Sequence, residues 1–198
     1  MSIVLVGSTS GSCTLQEQAV AGTSVLTLPV GTGTVVANNV NSAIVSGTSV
    51  ASTSGTSIDF TSIPSWVKRV TIMLNDVSTS GTSNPVIRLG TSGGIDSSAN
   101  YYAMNGNVNT SGVATGTNYT TGFGLLSANA TNSIVGQFVI TNISGNIWIM
   151  SGTFAQNTSN VNWITGRISL GGVLTQLRVT TLGGTDTFDA GTINILYE

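Results

Sequence analysis

The sequence predicts an all-β protein, in which a short-stranded N-terminal anchor or stem precedes a C-terminal antiparallel β-sandwich that is jelly-roll-like in topology. Three observations support this prediction. No long stretch shows helical periodicity with caps. Short runs of alternating polar and apolar residues follow one another, with turns rich in Gly, Ser and Asn between them. Residues 66–74, WVKRVTIML, alternate most clearly and open the globular part of the chain.

The first module, residues 1–37, contains four short strand candidates separated by glycine: IVLV, SCTLQ, SVLTLP and TVVA. The module has no Trp, Tyr or Phe, so a sheet formed by these strands within one chain would bury little apolar surface. Intertwining with identical neighbours would bury its Val and Leu side chains, and we therefore expect an oligomeric anchor with closed cyclic symmetry, a trimer. Cys13 is interpreted as a small buried hydrophobe, with an interchain disulfide as the alternative.

Residues 38–55, NNVNSAIVSGTSVASTSG, are small, polar and low in complexity. They are interpreted as a polar linker or an extended wrapping segment between the anchor and the head, with disorder as the alternative. An extended chain covers at most ~3.3–3.6 Å per residue, so a segment of this length can bridge several nanometres.

The head, residues 56–198, is long enough for one hydrophobic core. Its strand candidates are residues 66–74, 85–89, 119–126, 133–141, 146–154, 161–170, 174–180 and 192–197. Alternation places Trp148, Met150 and Phe154 on one face of a strand, and Ile147 and Ile149 on the other. The predicted core comprises Trp66, Val70, Ile72, Leu74, Ile87, Leu89, Phe138, Ile140, Trp148, Met150, Ile168, Leu177, Val179, Ile193 and Ile195.

The composition excludes several classes of function. Charged residues make up only 6% of the chain, which has five Lys and Arg and a net charge of −2. Binding to nucleic acid phosphates needs a cluster of cations, so nucleic acid is not an expected partner. The chain has no His and one Cys, which leaves no spacing for a zinc site and no catalytic Ser-His-Asp or Cys-His arrangement. No apolar run approaches the ~18 residues of a membrane span, so membrane insertion is not expected.

A pair of carboxylates, as in sugar-cleaving enzymes, is the catalytic arrangement that the composition leaves open. The candidates for such a pair are Asp59, Asp76, Asp96, Asp186 and Asp189. Asp186 and Asp189 lie in a turn-rich connection and are interpreted as turn residues, because Asp favours turns and Asx motifs. Residues 91–94 with Asp96 are the best place for a calcium ion, although no metal site is expected. We expect no catalytic site and no cofactor, and the protein is predicted not to be an enzyme.

Residues 97–106, SSANYYAMNG, are predicted to form an exposed loop that contacts a ligand. Adjacent tyrosines in a polar loop can stack on sugar rings and donate hydrogen bonds from their hydroxyl groups. Tyr101, Tyr102 and Asn105 are therefore the candidate contact residues. In the alternative interpretation, one tyrosine packs under the loop and the other caps the edge of the sandwich.

Two parts of the chain resemble proteins of tailed bacteriophages. Residues 7–37, GSTSGSCTLQEQAVAGTSVLTLPVGTGTVVA, resemble a short module that recurs in fibre and virion proteins; Cys13 and Glu17 fall at its variable positions, and Gly31 replaces a more usual non-glycine. Residues 54–95, beginning SGTSIDFTSIPSWVKRVTIML, and residues 174–198, LTQLRVTTLGGTDTFDAGTINILYE, are similar to the beginning and end of a C-terminal domain of phage structural proteins. Residues from about 100 to 165 match only in general character.

The resemblance implies a virion component: a non-enzymatic, short fibre-type structural protein that forms a homotrimer on the surface of a particle assembled in the bacterial cytoplasm. It would attach to other virion proteins, of capsid or tail, through the N-terminal module, and its head would face a host surface glycan. The attachment residues would be Leu15, Val25, Leu26, Leu28 and Val35. The alternative is a capsid decoration or head-fibre protein that stabilises the capsid, and the short segment before the head favours a short fibre or a decoration protein.

Overall fold

A computed structural model describes residues 2–6, 12–16, 44–157 and 160–198. The chain divides into two compact units, Met1–Ala37 and Asn38–Glu198. In the first unit, β1 (Ser2–Val6) pairs antiparallel with β2 (Ser12–Gln16), so the two strands predicted there are confirmed. The other two strand candidates of this unit, SVLTLP and TVVA, lie outside the described residues.

The second unit is an antiparallel β-sandwich, as predicted. Its strands are β3 (Val45–Ser46), β4 (Val50–Ala51), β5 (Ser57–Phe60), β6 (Arg69–Thr79), β7 (Pro85–Thr91), β8 (Gly94–Ile95), β9 (Tyr102–Asn109), β10 (Ala114–Tyr119), β11 (Phe123–Gly124), β12 (Ile134–Ser144), β13 (Ile147–Gln156), β14 (Asn160–Ser169), β15 (Gln176–Thr181) and β16 (Phe188–Tyr197). The described residues form no helix, and hence none long and apolar enough to span a membrane.

The strands form two sheets. The large sheet has nine strands in the order β10-β9-β14-β13-β12-β6-β16-β3, with β4 also pairing with β16. The small sheet has five, in the order β11-β7-β15-β5, with β8 pairing with β7. The chain passes repeatedly from one sheet to the other: β5, the hairpin of β7 and β8, β11 and β15 lie in the small sheet, and after each of them the chain returns to the large one.

The core lies between the sheets and follows the predicted alternation. On β6, Val70, Ile72 and Leu74 are buried, whereas Arg69, Thr71 and Met73 are not. On β13, Trp148, Met150 and Phe154 are buried, whereas Ile147 and Ile149 are exposed. All the predicted core residues are buried except Trp66, which is partly buried and packs against the core.

Trp66 precedes the strand that it was expected to begin. A turn in which the Val67 N–H donates to the Pro64 carbonyl at 3.1 Å delays the start of β6 to Arg69. The turn carries the Trp66 ring to the edge of the core, where its centroid lies 5.9 Å from that of Tyr197.

The described part of the predicted linker is an edge of the large sheet. β3 and β4 both pair with β16, and the Gly47 N–H donates to the Ile195 carbonyl at 2.8 Å. Ser52 is buried, and its hydroxyl donates to the Ala190 carbonyl at 2.8 Å. Residues 44–55 are therefore an extended segment fixed along β16, which corrects the alternative of disorder for this part of the chain. Residues 38–43 lie outside the described part of the chain.

At the centre of the large sheet, glycines lie opposite aromatic rings. Phe138 on β12 pairs with Gly152 on β13, and Phe154 on β13 pairs with Gly136 on β12. A Cβ added to Gly152 would lie 2.6 Å from Phe138 Cδ1, and a Cβ on Gly136 would overlap Phe154. The two rings pack against each other with centroids 5.7 Å apart. Glycine is needed at Gly152 because the Phe138 ring lies over the backbone there, and at Gly136 because the backbone and Cβ of β13 approach too closely for a side chain.

We predict that Gly152→Ala lowers the free energy of unfolding by about 1–3 kcal/mol, the usual effect of overfilling a packed core. Urea denaturation of the full chain measures this change. Gly171→Ala is the matched control, because a Cβ at Gly171 would meet nothing within 4 Å. Its stability should stay within about 0.5 kcal/mol of the original protein. Equal stabilities of the two variants would contradict the ring-over-glycine packing.

Candidate binding surface

The predicted ligand loop at residues 97–106 is only partly a loop. Strand β9 begins at Tyr102 and pairs on both sides, with β10 and with β14. The prediction of a loop is therefore wrong from Tyr102 onward. The Gly and Asn residues of this stretch have low β-propensity, but pairing with two neighbouring strands overrides that preference.

Two of the three predicted contact residues are buried. Tyr101 is only 3% exposed; its hydroxyl donates to the Asp96 carbonyl at 3.1 Å and accepts from the Leu89 N–H at 2.8 Å. Its ring meets that of Phe123 edge to face at 5.1 Å, and burial raises the pKa of the Tyr101 hydroxyl well above its usual value. Asn105 is fully buried on β9. Neither side chain lies at the surface where the prediction placed it.

Tyr102 is the exposed member of the predicted set. Its side chain is 75% exposed, and the Arg167 Cζ lies 6.0 Å from the centre of its ring. Such a cation–π contact stabilises an exposed site by about 0.5–1 kcal/mol and orients the ring. The assignment of Tyr102 as a ligand contact stays a prediction.

The predicted attachment residues lie in or near the first unit. Leu15 is on β2, opposite Ile3 of β1. The others, Val25, Leu26, Leu28 and Val35, lie outside the described residues. Cys13 is opposite Leu5 on the same pair of strands. Their roles remain predictions.

The carboxylates of the head bind neighbouring groups of the fold. Asp59 accepts two hydrogen bonds from Arg178, at 2.6 and 2.7 Å, and these bonds raise the pKa of the Arg178 guanidinium. Asp186 accepts from the Ser83 N–H at 2.8 Å, and Asp189 accepts from the Ser78 hydroxyl. The first contact joins two loops, as expected of a turn residue. The second joins β6 to β16, because β16 already begins at Phe188, so the placement of Asp189 in a turn before the last strand was wrong.

The suggested calcium position has a similar local arrangement. The Asp96 carboxylate accepts from the Ser98 N–H at 2.9 Å and from the Ser98 hydroxyl, which forms an Asx turn. Among the residues whose placement the structure describes, no group of three or more His, Cys, Asp and Glu could hold a metal ion.

The outer face of the large sheet has a feature that the sequence interpretation missed. Five exposed positions on adjacent strands form a continuous apolar line across the sheet, which we call the apolar row. Each member lies opposite the next in the strand register, in the order Ala114, Val108, Val161, Ala155 and Val135, from β10 to β12. Val161, at its centre, is 61% exposed. The sequence contained one indication of this feature, because Val161 is an apolar residue at a position that alternates with the buried residues of β14.

Trp163 lies beside the apolar row. It pairs with Gly106 on β9, and a Cβ on Gly106 would lie only 2.5 Å from Trp163 Cε2. The indole therefore lies over the backbone of the neighbouring strand, and 45% of the side chain stays exposed. The packing of Trp163 over Gly106 on the outer face resembles that of Phe138 over Gly152 in the core.

The rest of this face is nearly uncharged. Across the described residues of strands β10, β9, β14, β13 and β12, the outward positions carry one charge, Arg167 beside Tyr102. The other outward side chains are hydroxyls, amides and apolar groups, including Met104, Ile147 and Ile149, which are exposed. Large apolar area with little charge is typical of the central part of a protein interface. We therefore regard this outer face as the candidate binding surface.

Comparisons with protein-family models, with curated proteins and with solved structures find no match for this chain.

The buried tyrosines predict a loss of stability in alkali. The Tyr119 hydroxyl accepts from Asn84 Nδ2 at 3.2 Å, its ring covers Gly124, and burial raises the pKa of Tyr119 to about 12. The folded state keeps this proton while the unfolded chain, with a tyrosine pKa near ~10, releases it. Stability is therefore fully present below about pH 10 and falls as the pH rises toward 12.

In Tyr119→Phe, the fall in melting temperature between pH 10 and 12 should be smaller than in the original protein. Thermal unfolding followed by circular dichroism measures this slope. Tyr102→Phe, which changes an exposed ring, is the matched control. A slope that is the same in Tyr119→Phe and the original protein would contradict a buried, neutral Tyr119.

Proposed function

We propose that this protein is a non-enzymatic structural component of a bacteriophage virion, a short fibre-type protein that attaches through its N-terminal unit and displays the β-sandwich head. The observation that favours a binding role is the wide, nearly uncharged outer face of the large sheet. The similarity of residues 7–37, 54–95 and 174–198 to phage structural proteins supports the place on the virion. Through its anchor, the protein is proposed to form a homotrimer and to contact other virion proteins.

The positions of the acidic groups support a role without catalysis. The carboxylates of Asp59, Asp96, Asp186 and Asp189 each bind a neighbouring guanidinium, hydroxyl or backbone N–H. The side chain of Glu198 forms an ion pair with Arg69 at 2.8 Å. These contacts engage five carboxylates within the fold, and those of Asp59, Asp186, Asp189 and Glu198 join segments that are distant in the sequence.

Tyr102 favours a host surface glycan as a ligand of the head. Its exposed ring can stack on a sugar, and its hydroxyl and the nearby Arg167 guanidinium supply polar groups beside the ring. A second role, decoration and stabilisation of the capsid, fits the same architecture, and the two roles differ in which property of the particle depends on the protein.

Phage particles that lack the protein should fail to adsorb to host cells, while their capsids withstand heating as well as complete particles do. The measurements are the fraction of particles adsorbed and the temperature at which the genome is released. Normal adsorption with fragile capsids would support the decoration role instead. Particles unchanged in both properties would contradict both proposals.

We predict that Tyr102→Ala weakens binding of the purified protein to host cell-surface glycan about tenfold, which corresponds to about 1.4 kcal/mol. Titration against isolated glycan measures the dissociation constant. Val173→Ala, an exposed apolar residue in the connection between β14 and β15, is the control and should bind like the original protein. Undiminished binding by Tyr102→Ala would remove this residue from the proposed site.

A further inference from the structure

We propose that at least one ordered water molecule is bound inside the sandwich, between the side chains of Asn105 on β9 and Asn162 on β14. Both side chains are fully buried. Within the described part of the chain, neither the amide oxygen nor the amide nitrogen of either residue has a hydrogen-bond partner. Buried polar groups of this kind are bound by a small molecule that both donates and accepts, and water is that molecule. The site is independent of the proposed role in a virion.

The two asparagines face the same interior space from adjacent strands. Asn105 lies opposite Ile164 and Asn162 lies opposite Asn107, so the two buried amides are diagonal neighbours on the inner face of the sheet. Their Cβ atoms are therefore at most ~7–8 Å apart. A water that accepts from one amide and donates to the other joins polar atoms about 5.6 Å apart, through two hydrogen bonds of about 2.8 Å. Diagonal asparagine side chains that point toward each other can span this distance.

The apolar neighbours of the pair cannot satisfy the amides. Ile164 is opposite Asn105 and Phe154 is opposite Asn162, and both belong to the core. Neither side chain has a donor or an acceptor. An amide left unbonded there loses the hydrogen bonds that it makes with water in the unfolded chain, so the folded state favours a molecule that restores them. The Thr117 hydroxyl, opposite Asn105 on β10, can supply the third bond that a buried water usually makes.

The amides on either side of the pair are satisfied by the strand beside them. The Asn107 carbonyl oxygen accepts from the Thr115 hydroxyl of β10. Asn160 Nδ2 donates to Gln156 Oε1 of β13 at 3.2 Å. The site is thus confined to Asn105 and Asn162. The remaining buried atom without a partner in the described residues, Trp148 Nε1, lies at the other end of β13 and outside this site.

Strand β9 turns its amides inward, against the usual pattern of a sandwich strand. Its exposed apolar or aromatic side chains are those of Tyr102, Met104 and Val108, whereas the alternate positions after Ala103 are all asparagine. Hydrophobic alternation alone would turn this strand over and bury the other set. The observed register therefore needs something that offsets the burial of amides, and a bound water does so at Asn105 and Asn162.

The first measurement uses the unmodified full chain. In a rotating-frame Overhauser NMR experiment, the side-chain amide protons of Asn105 and Asn162 should show cross-peaks to water of the dipolar sign, which is opposite to that of chemical exchange. Asn118, exposed on β10, is the control and should show no such peak, because surface water leaves too quickly. Absence of water contacts at both buried amides would overturn the proposal. So would cross-peaks between the two amides without water, which would show a direct hydrogen bond.

The second measurement counts the bound water. Deuterium relaxation dispersion of the solvent reports the number of long-lived internal waters in each molecule. The double variant Asn105→Leu/Asn162→Leu replaces both amides by apolar groups of similar size and should hold at least one water fewer than the original protein. Asn118→Leu is the matched control and should keep the original number. An unchanged number in a folded double variant would contradict the site; if that variant does not fold, the cross-peaks of the unmodified chain decide.

Discussion

The placement of glycine opposite an aromatic ring determines how both faces of the large sheet pack. Phe138 lies over Gly152 on the inner face, and Trp163 lies over Gly106 on the outer one. A Cβ at either of these glycines would push the ring away from the sheet. Inside, the Phe138 and Phe154 rings pack against each other in the core. Outside, the same arrangement lays the Trp163 ring over the backbone of β9.

The distribution of charge complements this packing. The ion pairs lie outside strands β10, β9, β14, β13 and β12: Arg178 with Asp59 joins two strands of the small sheet, and Arg69 with Glu198 joins the ends of β6 and β16. Exposed pairs of this kind stabilise a fold only weakly, typically by about 0–1 kcal/mol. On the outward side of those five strands, Arg167 is the one charge, and the other side chains are hydroxyls, amides and apolar groups.

Periodicity predicted the fold well where one face of a strand is uniformly apolar. Val70, Ile72 and Leu74 on β6 were identified because every second residue is buried in the sandwich. Strand β9 was missed because its inward positions include Asn105 and its outward ones Gly106, so neither face has a uniform pattern. The burial of Tyr101 depends on a hydrogen bond to Leu89 of another strand, and no local pattern reports such a contact. The site was missed for a related reason: the apolar row exists only through the register of five strands.

The outward positions of β14 show why that register matters for function. An antiparallel sandwich strand with one face in water normally carries polar residues on that face. Val161 and Trp163 occupy such positions, and each lies in line with small or apolar residues on the strands beside it. A single exposed valine is ordinary, but alignment across adjacent strands concentrates apolar area that scattered residues would not provide. Since exposing apolar area to water costs free energy in proportion to its size, at about 25 cal/mol per Å², this alignment favours a partner that covers it.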